Sequence, residues 1–366
     1  TGAIGASVII TGTNFDATHT NNTVFFGGIK TTTSAGSTTS LTATIPVGAT
    51  FAPITVQVNG RTAESDAFFL PTYAGVNQTF TSGILSQKVD FTAATGPFGV
   101  VLGDIDGDGK SDAVVTNWDG ASISVFRNTS TSGSLNAGSF AAKIDYTALT
   151  NPMGVAIGDI DGDGKLDVAV ANYGSNLVSI YRNLSTSGTI SLSAKVDFTA
   201  GTGAFGAQLG DVDGDGKLDM VITNFGAATV SVFRNVSTSG AITTSSFAPK
   251  VDFATGTSPA LLSLGDIDGD GKLDVVVPNN TAASLSVLRN TSTPGTITSS
   301  SFAAKVDFTT GTEPRGSLIA DIDGDGKPEV SVANNVSNTI SIFRNTSTSG
   351  TITLSAKVDF TAGTGP

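Results

Sequence analysis

Two hydrophobic patterns alternate along most of the chain. From Phe98 to Gly103 and from Asp112 to Asn117 the residues form nearly continuous apolar runs, as expected of strands packed on both faces. From Ser122 to Arg127 the pattern alternates instead, with Ile123 and Val125 set against Ser124 and Phe126. A further segment from Phe140 to Tyr146 completes a group of four short strands. Four strands per unit predict one propeller blade, with a solenoid as the other architecture to consider.

The group recurs around the acidic stretches GDIDGDGKSD, GDIDGDGKLD, GDVDGDGKLD, GDIDGDGKLD and ADIDGDGKPE. Their first loop aspartates are Asp104, Asp159, Asp211, Asp266 and Asp321, spaced by 55, 52, 55 and 55 residues. An Arg-Asn pair follows each at a fixed offset of 23, with Arg127, Arg182, Arg234, Arg289 and Arg344 as its arginines. A Lys-Val/Ile-Asp-Phe/Tyr segment precedes each loop aspartate by 16 residues, from Lys88, Lys143, Lys195, Lys250 and Lys305. Length varies only in the Ser/Thr/Gly-rich connection after the Arg-Asn pair, which spans 15 or 12 residues and is expected to be a solvent loop tolerant of insertion. A further copy of the last segment lies at Lys357 to Phe360, and Lys88 to Phe91 is a fourth-type strand with no blade before it.

Composition narrows the class. The 366 residues include 44 glycines, no cysteine and only 14% charged residues, which favours an all-β protein without disulfides or thiol chemistry. A formal charge of −12 with no basic run excludes a nucleic-acid partner, and no apolar stretch is long enough for membrane insertion. The chain opens at Thr1 with neither initiator Met nor signal peptide, the expectation for a mature piece or an excised fragment.

The acidic loops carry the candidate chemistry. Oxygen ligands at positions 1, 3, 5, 7 and 9 suit Ca²⁺, a hard cation that takes six to eight oxygens. The first loop supplies Asp104, Asp106, Asp108, the Lys110 carbonyl and Asp112. The second supplies Asp159, Asp161, Asp163, the Lys165 carbonyl and Asp167, and the third Asp211, Asp213, Asp215, the Lys217 carbonyl and Asp219. Asp266, Asp268, Asp270, the Lys272 carbonyl and Asp274 form the fourth, and Asp321, Asp323, Asp325, the Lys327 carbonyl and Glu329 the fifth. A helix-loop-helix site would need a Glu at position 12, where these loops have Val115, Val170, Ile222, Val277 and Val332. One such loop is a bland acidic turn, but five in register predict about five structural calcium ions in place of disulfides.

The loop in its strand context closely resembles the FG-GAP/VCBS family of calcium-binding propeller repeats, known from integrin α-subunit heads and bacterial surface proteins. The resemblance spans about residues 86 to 366. It implies a β-propeller, often seven-bladed, with calcium between the first and second strands of a blade. Five loops leave blade number and ring closure open, and the last loop departs further through Pro328 and Glu329.

Residues 1–70 lack the repeat and read as a small β-sandwich. They look like an IPT/TIG domain of immunoglobulin-like fold through Ile9 to Phe15, Val24 to Gly28 and Ala43 to Pro46. Residues 71–85 are expected to be a linker.

Other chemistry finds less support. The single histidine, His19, sits in a polar turn and is expected to be exposed. The asparagines after the Arg residues, Asn128, Asn183, Asn235, Asn290 and Asn345, match glycosylation acceptors formally but read as turn residues. Asn117, Asn172 and Asn224 precede Trp118, Tyr173 and Phe225, a candidate glycan platform. The bland reading, asparagine capping a turn and an aromatic packed between blades, is preferred there.

The expected function is therefore non-catalytic adhesion or scaffolding at the extracellular or cell surface of a bacterium. The partners expected are an extracellular protein, a carbohydrate or further copies of the chain, including strand exchange into a fibre. A calcium-dependent lectin is the second expectation and a propeller hydrolase the third.

Overall fold

The computed structural model describes residues 1–50, 52–59, 61–72, 87–131 and 133–366. Its repeat region is five antiparallel four-stranded sheets, each made of consecutive strands in sequence order. Blade 1 comprises Pro97–Gly103, Asp112–Asn117, Ser122–Phe126 and Ile144–Thr147, and blade 2 Pro152–Gly158, Asp167–Asn172, Leu177–Tyr181 and Val196–Thr199. Blade 3 comprises Ala204–Gly210, Asp219–Asn224, Thr229–Phe233 and Val251–Ala254. Blade 4 has Ser263–Gly265, Asp274–Asn279, Ser284–Leu288 and Val306–Thr309, and blade 5 Pro314–Ala320, Glu329–Asn334, Thr339–Phe343 and Val358–Thr361. The architecture is thus all-β and propeller-type, with the acidic loop between first and second strands of every blade.

The two hydrophobic patterns have the packing they predict. The second strands of blades 2, 3 and 4 are buried along their whole length, because neighbouring sheets cover both faces. Core clusters accordingly cross blade boundaries: Ala169, Val178 and Ile180 of blade 2 pack with Met220, Ile222 and Phe233 of blade 3. Blade 4 has a short first strand, and Pro278 on its second strand explains this, since proline offers no N–H to the neighbouring strand.

The outward flanks of the terminal blades differ. Val100 of blade 1 is 65% exposed and Leu318 of blade 5 is 62% exposed, positions equivalent to ones covered further in. Lys88 to Asp90 is not a strand; Phe91 instead packs edge-on against Phe140 at 5.0 Å. The same contact joins Phe198 to Phe247 and Phe253 to Phe302, where a fourth-strand phenylalanine meets the connection of the next blade. Phe91 therefore keeps the contact of a fourth strand, and among the described residues no third strand pairs with it.

The N-terminal module is a two-sheet sandwich. Ser7–Thr11, Ser40–Thr44 and Thr33–Gly36 form one sheet, and Ile29–Thr31, Asn22–Phe26, Ala52–Val58 and Arg61–Phe69 the other. Val24, Phe26, Leu41 and Ile45 fill the space between them. His19 is half-buried, not exposed, because its Nδ1 lies 3.2 Å from Thr33 Oγ1. Of the expected linker, residues 73–85 lie outside the described residues.

The sandwich sits on the acidic-loop end of the blades. Asp104 N donates to Gly28 O at 2.8 Å, and Thr62 N donates to Gly216 O in the third loop. Phe25 packs against Ile105 and Leu166. A cavity of about 580 Å³ remains between Thr55 and Gln57 of the sandwich and Ile157, Leu209 and Leu264 of the first strands.

Candidate metal centres

Each acidic loop is folded by its own carboxylates. Asp104 Oδ1 accepts from Asp108 N at 3.0 Å and its Oδ2 from Gly109 N at 2.8 Å. Asp106 Oδ1 accepts from Asp108 N, and Asp108 Oδ1 from Lys110 N, both at 3.0 Å. This winding needs left-handed backbone at positions 4 and 6: Gly107 has φ 75° and Gly109 φ 88°, and the paired glycines of the other four loops match them. A side chain at either position would strain the turn.

The carboxylate at position 9 ties the loop to the end of the third strand. Asp219 is fully buried; its Oδ1 accepts from Asn235 N at 2.8 Å and its Oδ2 from Val212 N at 3.2 Å. Asp112, Asp167 and Asp274 do the same with Asn128, Asn183 and Asn290. Glu329 takes this role in the fifth loop, accepting from Ile322 N at 2.8 Å and Asn345 N at 3.3 Å.

The result is concentrated negative charge, largely out of water in the first four loops and exposed in the fifth. Carboxylate oxygens from Asp159, Asp161 and Asp167 lie within 4.8 Å of one another, as do those of Asp211, Asp213 and Asp219, and of Asp266, Asp268 and Asp274. Asp104, Asp106 and Asp108 converge likewise, as do Asp321, Asp323 and Asp325. Burial, augmented by neighbouring carboxylates, pushes Asp112 and Asp274 up to about 7 and Asp219 up to about 8. Burial raises Asp159 and Asp211 to about 6, and Asp167 rises well above the carboxylate range. Two buried carboxylate oxygens, Asp161 Oδ1 and Asp213 Oδ2, have no hydrogen-bond partner. All-oxygen donors, raised proton affinity and unpartnered buried anionic oxygens together fit a hard divalent cation.

Basic side chains neutralise the outer rim. Arg182 reaches Asp161 Oδ2 at 2.5 Å and Asp163 Oδ2 at 2.6 Å, and Arg344 reaches Asp323 at 3.0 Å and Asp325 at 2.9 Å. The loop lysines point away from the carboxylates: Lys165, Lys217, Lys272 and Lys327 donate to the carbonyls of Ser185, Ser237, Ser292 and Ser347.

In four of the five Arg-Asn pairs the Asn holds the preceding loop; the half-buried Asn128 instead donates within its own blade, to Ser111 O at 2.8 Å. Asn183 Nδ2 donates to Ile105 O of blade 1 at 2.8 Å, and Asn235 to Ile160 O of blade 2 at 2.8 Å. Asn290 reaches Val212 O at 2.7 Å and Asn345 Ile267 O at 2.8 Å, always position 2 of the loop before. Each of these four amides also bonds its own blade, so its donors and acceptor are engaged and the residue is buried, unlike a glycosylation acceptor. The fixed offset of 23 reflects the bond of this Asn to its own loop, where its backbone N–H meets the position 9 carboxylate.

The variable connection also differs from a plain solvent loop, because its turn glycine seats on the preceding loop. In the two 12-residue connections Gly188 N donates to Asp106 Oδ2 at 2.9 Å and Gly350 N to Asp268 Oδ2 at 2.7 Å. In the 15-residue connections of blades 3 and 4, Gly240 N and Gly295 N donate at 3.2 Å to the backbone oxygens of Asp161 and Asp213. Those two aspartates are the ones with an unpartnered oxygen.

Asn117, Asn172 and Asn224 lie at the opposite end of the blades and are fully buried. Asn172 Nδ2 donates to Ser179 Oγ at 3.0 Å, which donates to Asp197 Oδ1 at 2.6 Å, and Lys195 pairs with that aspartate. The chain Asn-Ser-Asp-Lys repeats in every blade and crosses three strands. The amides thus serve the blade interior. Trp118, Tyr173 and Phe225 are half-buried and pack mutually with Phe98 and Phe205, Trp118 to Tyr173 at 5.6 Å and Phe205 to Phe225 stacked at 5.3 Å. A hollow of about 310 Å³ borders Phe98, Trp118 and Met153.

No helix among the described residues is long and apolar enough to cross a membrane. No curated protein matches the chain by sequence. Among solved structures, a putative 6-phosphogluconolactonase from Bacteroides fragilis is similar at TM-score 0.50 and 18% identity, over 95% of this chain and 97% of that one. A virginiamycin B lyase from Staphylococcus aureus matches at TM-score 0.45 and 16% identity, over 74% and 71%. A lectin from Agrocybe aegerita matches at 0.45 and 16%, over 94% and 81%. At such identities the likeness concerns the fold alone. Residues 1–72 match the IPT/TIG domain, and overlapping matches to the FG-GAP-like repeat cover 104–170, 159–222, 211–277 and 266–332. Both are non-enzymatic domain types, and with the greater part of its length so matched the chain belongs to the FG-GAP-like repeat family, its repeats preceded by an IPT/TIG domain.

Proposed function

We propose that this is a calcium-stabilised, non-catalytic adhesion or scaffolding protein of the extracellular or cell surface, in which an ion in each acidic loop makes the blade array rigid. The observation that carries the reading is the pair of buried, unpartnered oxygens on Asp161 and Asp213 inside converging carboxylates. Calcium would supply the counter-charge that these oxygens lack. The ligands would be the side chains at positions 1, 3, 5 and 9 and the carbonyl at position 7. Without disulfides, such ions are the cross-links available to the fold. Extracellular calcium suits sites of modest affinity, with Kd on the order of 10⁻⁴ to 10⁻³ M. The partner class that fits this reading is an extracellular protein, a glycan or another copy of the chain.

Thermal unfolding in calcium and in chelator tests it. A ligand held only by the native state adds about 2.7 kcal/mol per site at a hundred times Kd, so the melting temperature should rise steeply with calcium. An unchanged melting temperature would sink the reading.

A further inference from the structure

A loop that binds an ion needs its carboxylates held in place before the ion arrives, and groups beyond the ligands themselves set that preorganisation. In four of the five loops part of the holding comes from the next blade. The amide of Asn183, Asn235, Asn290 or Asn345 grips the position 2 carbonyl, between the ligands at positions 1 and 3. Ser237 and Ser292 add hydroxyl donors to the same carbonyls at 3.1 and 2.9 Å. The turn glycine donates to the position 3 aspartate, to its carboxylate or its backbone oxygen. Asp161 and Asp213, each with one unpartnered oxygen, are 2% and 1% exposed.

We propose that these asparagines are positioning residues for the ion of the preceding blade, so that ion binding in one blade and docking of the next are thermodynamically linked. This rests on the calcium reading above. Linkage is reciprocal: an ion at Asp159–Asp167 strengthens the seating of blade 3, and blade 3 strengthens that ion. The unit of binding is then a pair of blades, and calcium fixes blades to one another as well as fixing its own loop.

A calcium titration by calorimetry on the wild type, Asn235→Ala, Asp161→Ala and the double variant tests the link. Asn235→Ala should weaken one site about tenfold, as loss of an outer-shell partner does. In the Asp161→Ala background, where that site is already lost, it should weaken nothing further. A merely structural role for Asn235 would lower all sites or its own blade's site, and an equal loss in both backgrounds overturns the proposal. Unchanged affinities in Asn235→Ala overturn it as well. If circular dichroism finds Asn235→Ala unfolded, Ser237→Ala takes its place with a smaller, few-fold loss at the same site, and no loss there is equally fatal. A wild type that binds no calcium removes the calcium reading itself, and the proposal with it.

Discussion

The third and fifth acidic loops have nearly the same sequence and different surroundings. In the third, Val212 is 1% exposed, Asp213 is buried, and Asn290 and Gly295 reach it from blade 4. In the fifth, Ile322 is 54% exposed and Asp321, Asp323 and Asp325 are all exposed. Among the described residues, every hydrogen bond to that loop comes from its own blade. Both loops wind the same way, with Gly214 at φ 70° and Gly324 at φ 78°. The turn is therefore a local property of the motif, whereas its burial, and the proton affinity that burial raises, belong to what covers it, the neighbouring blade and, at Gly216, the sandwich.

Three measurements would sharpen or break this contrast. The largest effect is expected in packing: Ile222→Ala, at a fully buried site in blade 3, should cost about 2–5 kcal/mol in denaturant unfolding. Ile340→Ala in blade 5, whose side chain is 38% exposed, should cost about half of that or less. Equal costs would mean that blade 5 is covered in solution.

Next comes the ion. Asp213→Ala should remove one site's share of the calcium-dependent stability, about 2.7 kcal/mol at a hundred times Kd, and Asp323→Ala less, because exposed carboxylates bind more weakly in a solvated loop. The reverse order would contradict the role given to burial.

A separate test is in pH. Asp219, held at about 8, and Asp112 and Asp274, at about 7, keep protons in the folded chain that they lose when unfolded near 4. The folded state then binds more protons, so stability in chelator should fall as pH rises from about 4 towards 8. Calcium should flatten that slope by favouring the charged form. A melting temperature in chelator that climbs over this range would refute the burial of these carboxylates.

Much of this was legible in the sequence. The strand Asp112–Asn117 follows from its continuous apolar run, and the alternating strand read from Ser122 to Arg127 ends one residue earlier, at Phe126, whereas the fourth strand starts at Ile144 and leaves Phe140 in the connection, bridged to Asn128. The loops were legible because five copies in register constrain glycine and aspartate together. Two things were not. Asn117 and Asn172 read as turn caps beside aromatic rings, and only the pairing of second, third and fourth strands places Ser124 and Ser179 against them. Asn235 reaches Ile160, 75 residues earlier, a contact between blades that local pattern does not encode.

The reach of that asparagine redraws the boundary of the repeating module. A segment cut from one acidic loop to the next carries a complete set of ligands but leaves behind the amide that grips them, and carries instead the amide for a loop it lacks. A transplantable cassette would run from the start of one loop through the Arg-Asn pair and turn of the following blade, for example from Asp159 to Gly240. Because near-identical neighbours supply the same grip, an inserted copy of a blade should leave every inner loop held, whereas an interruption between two blades should release one.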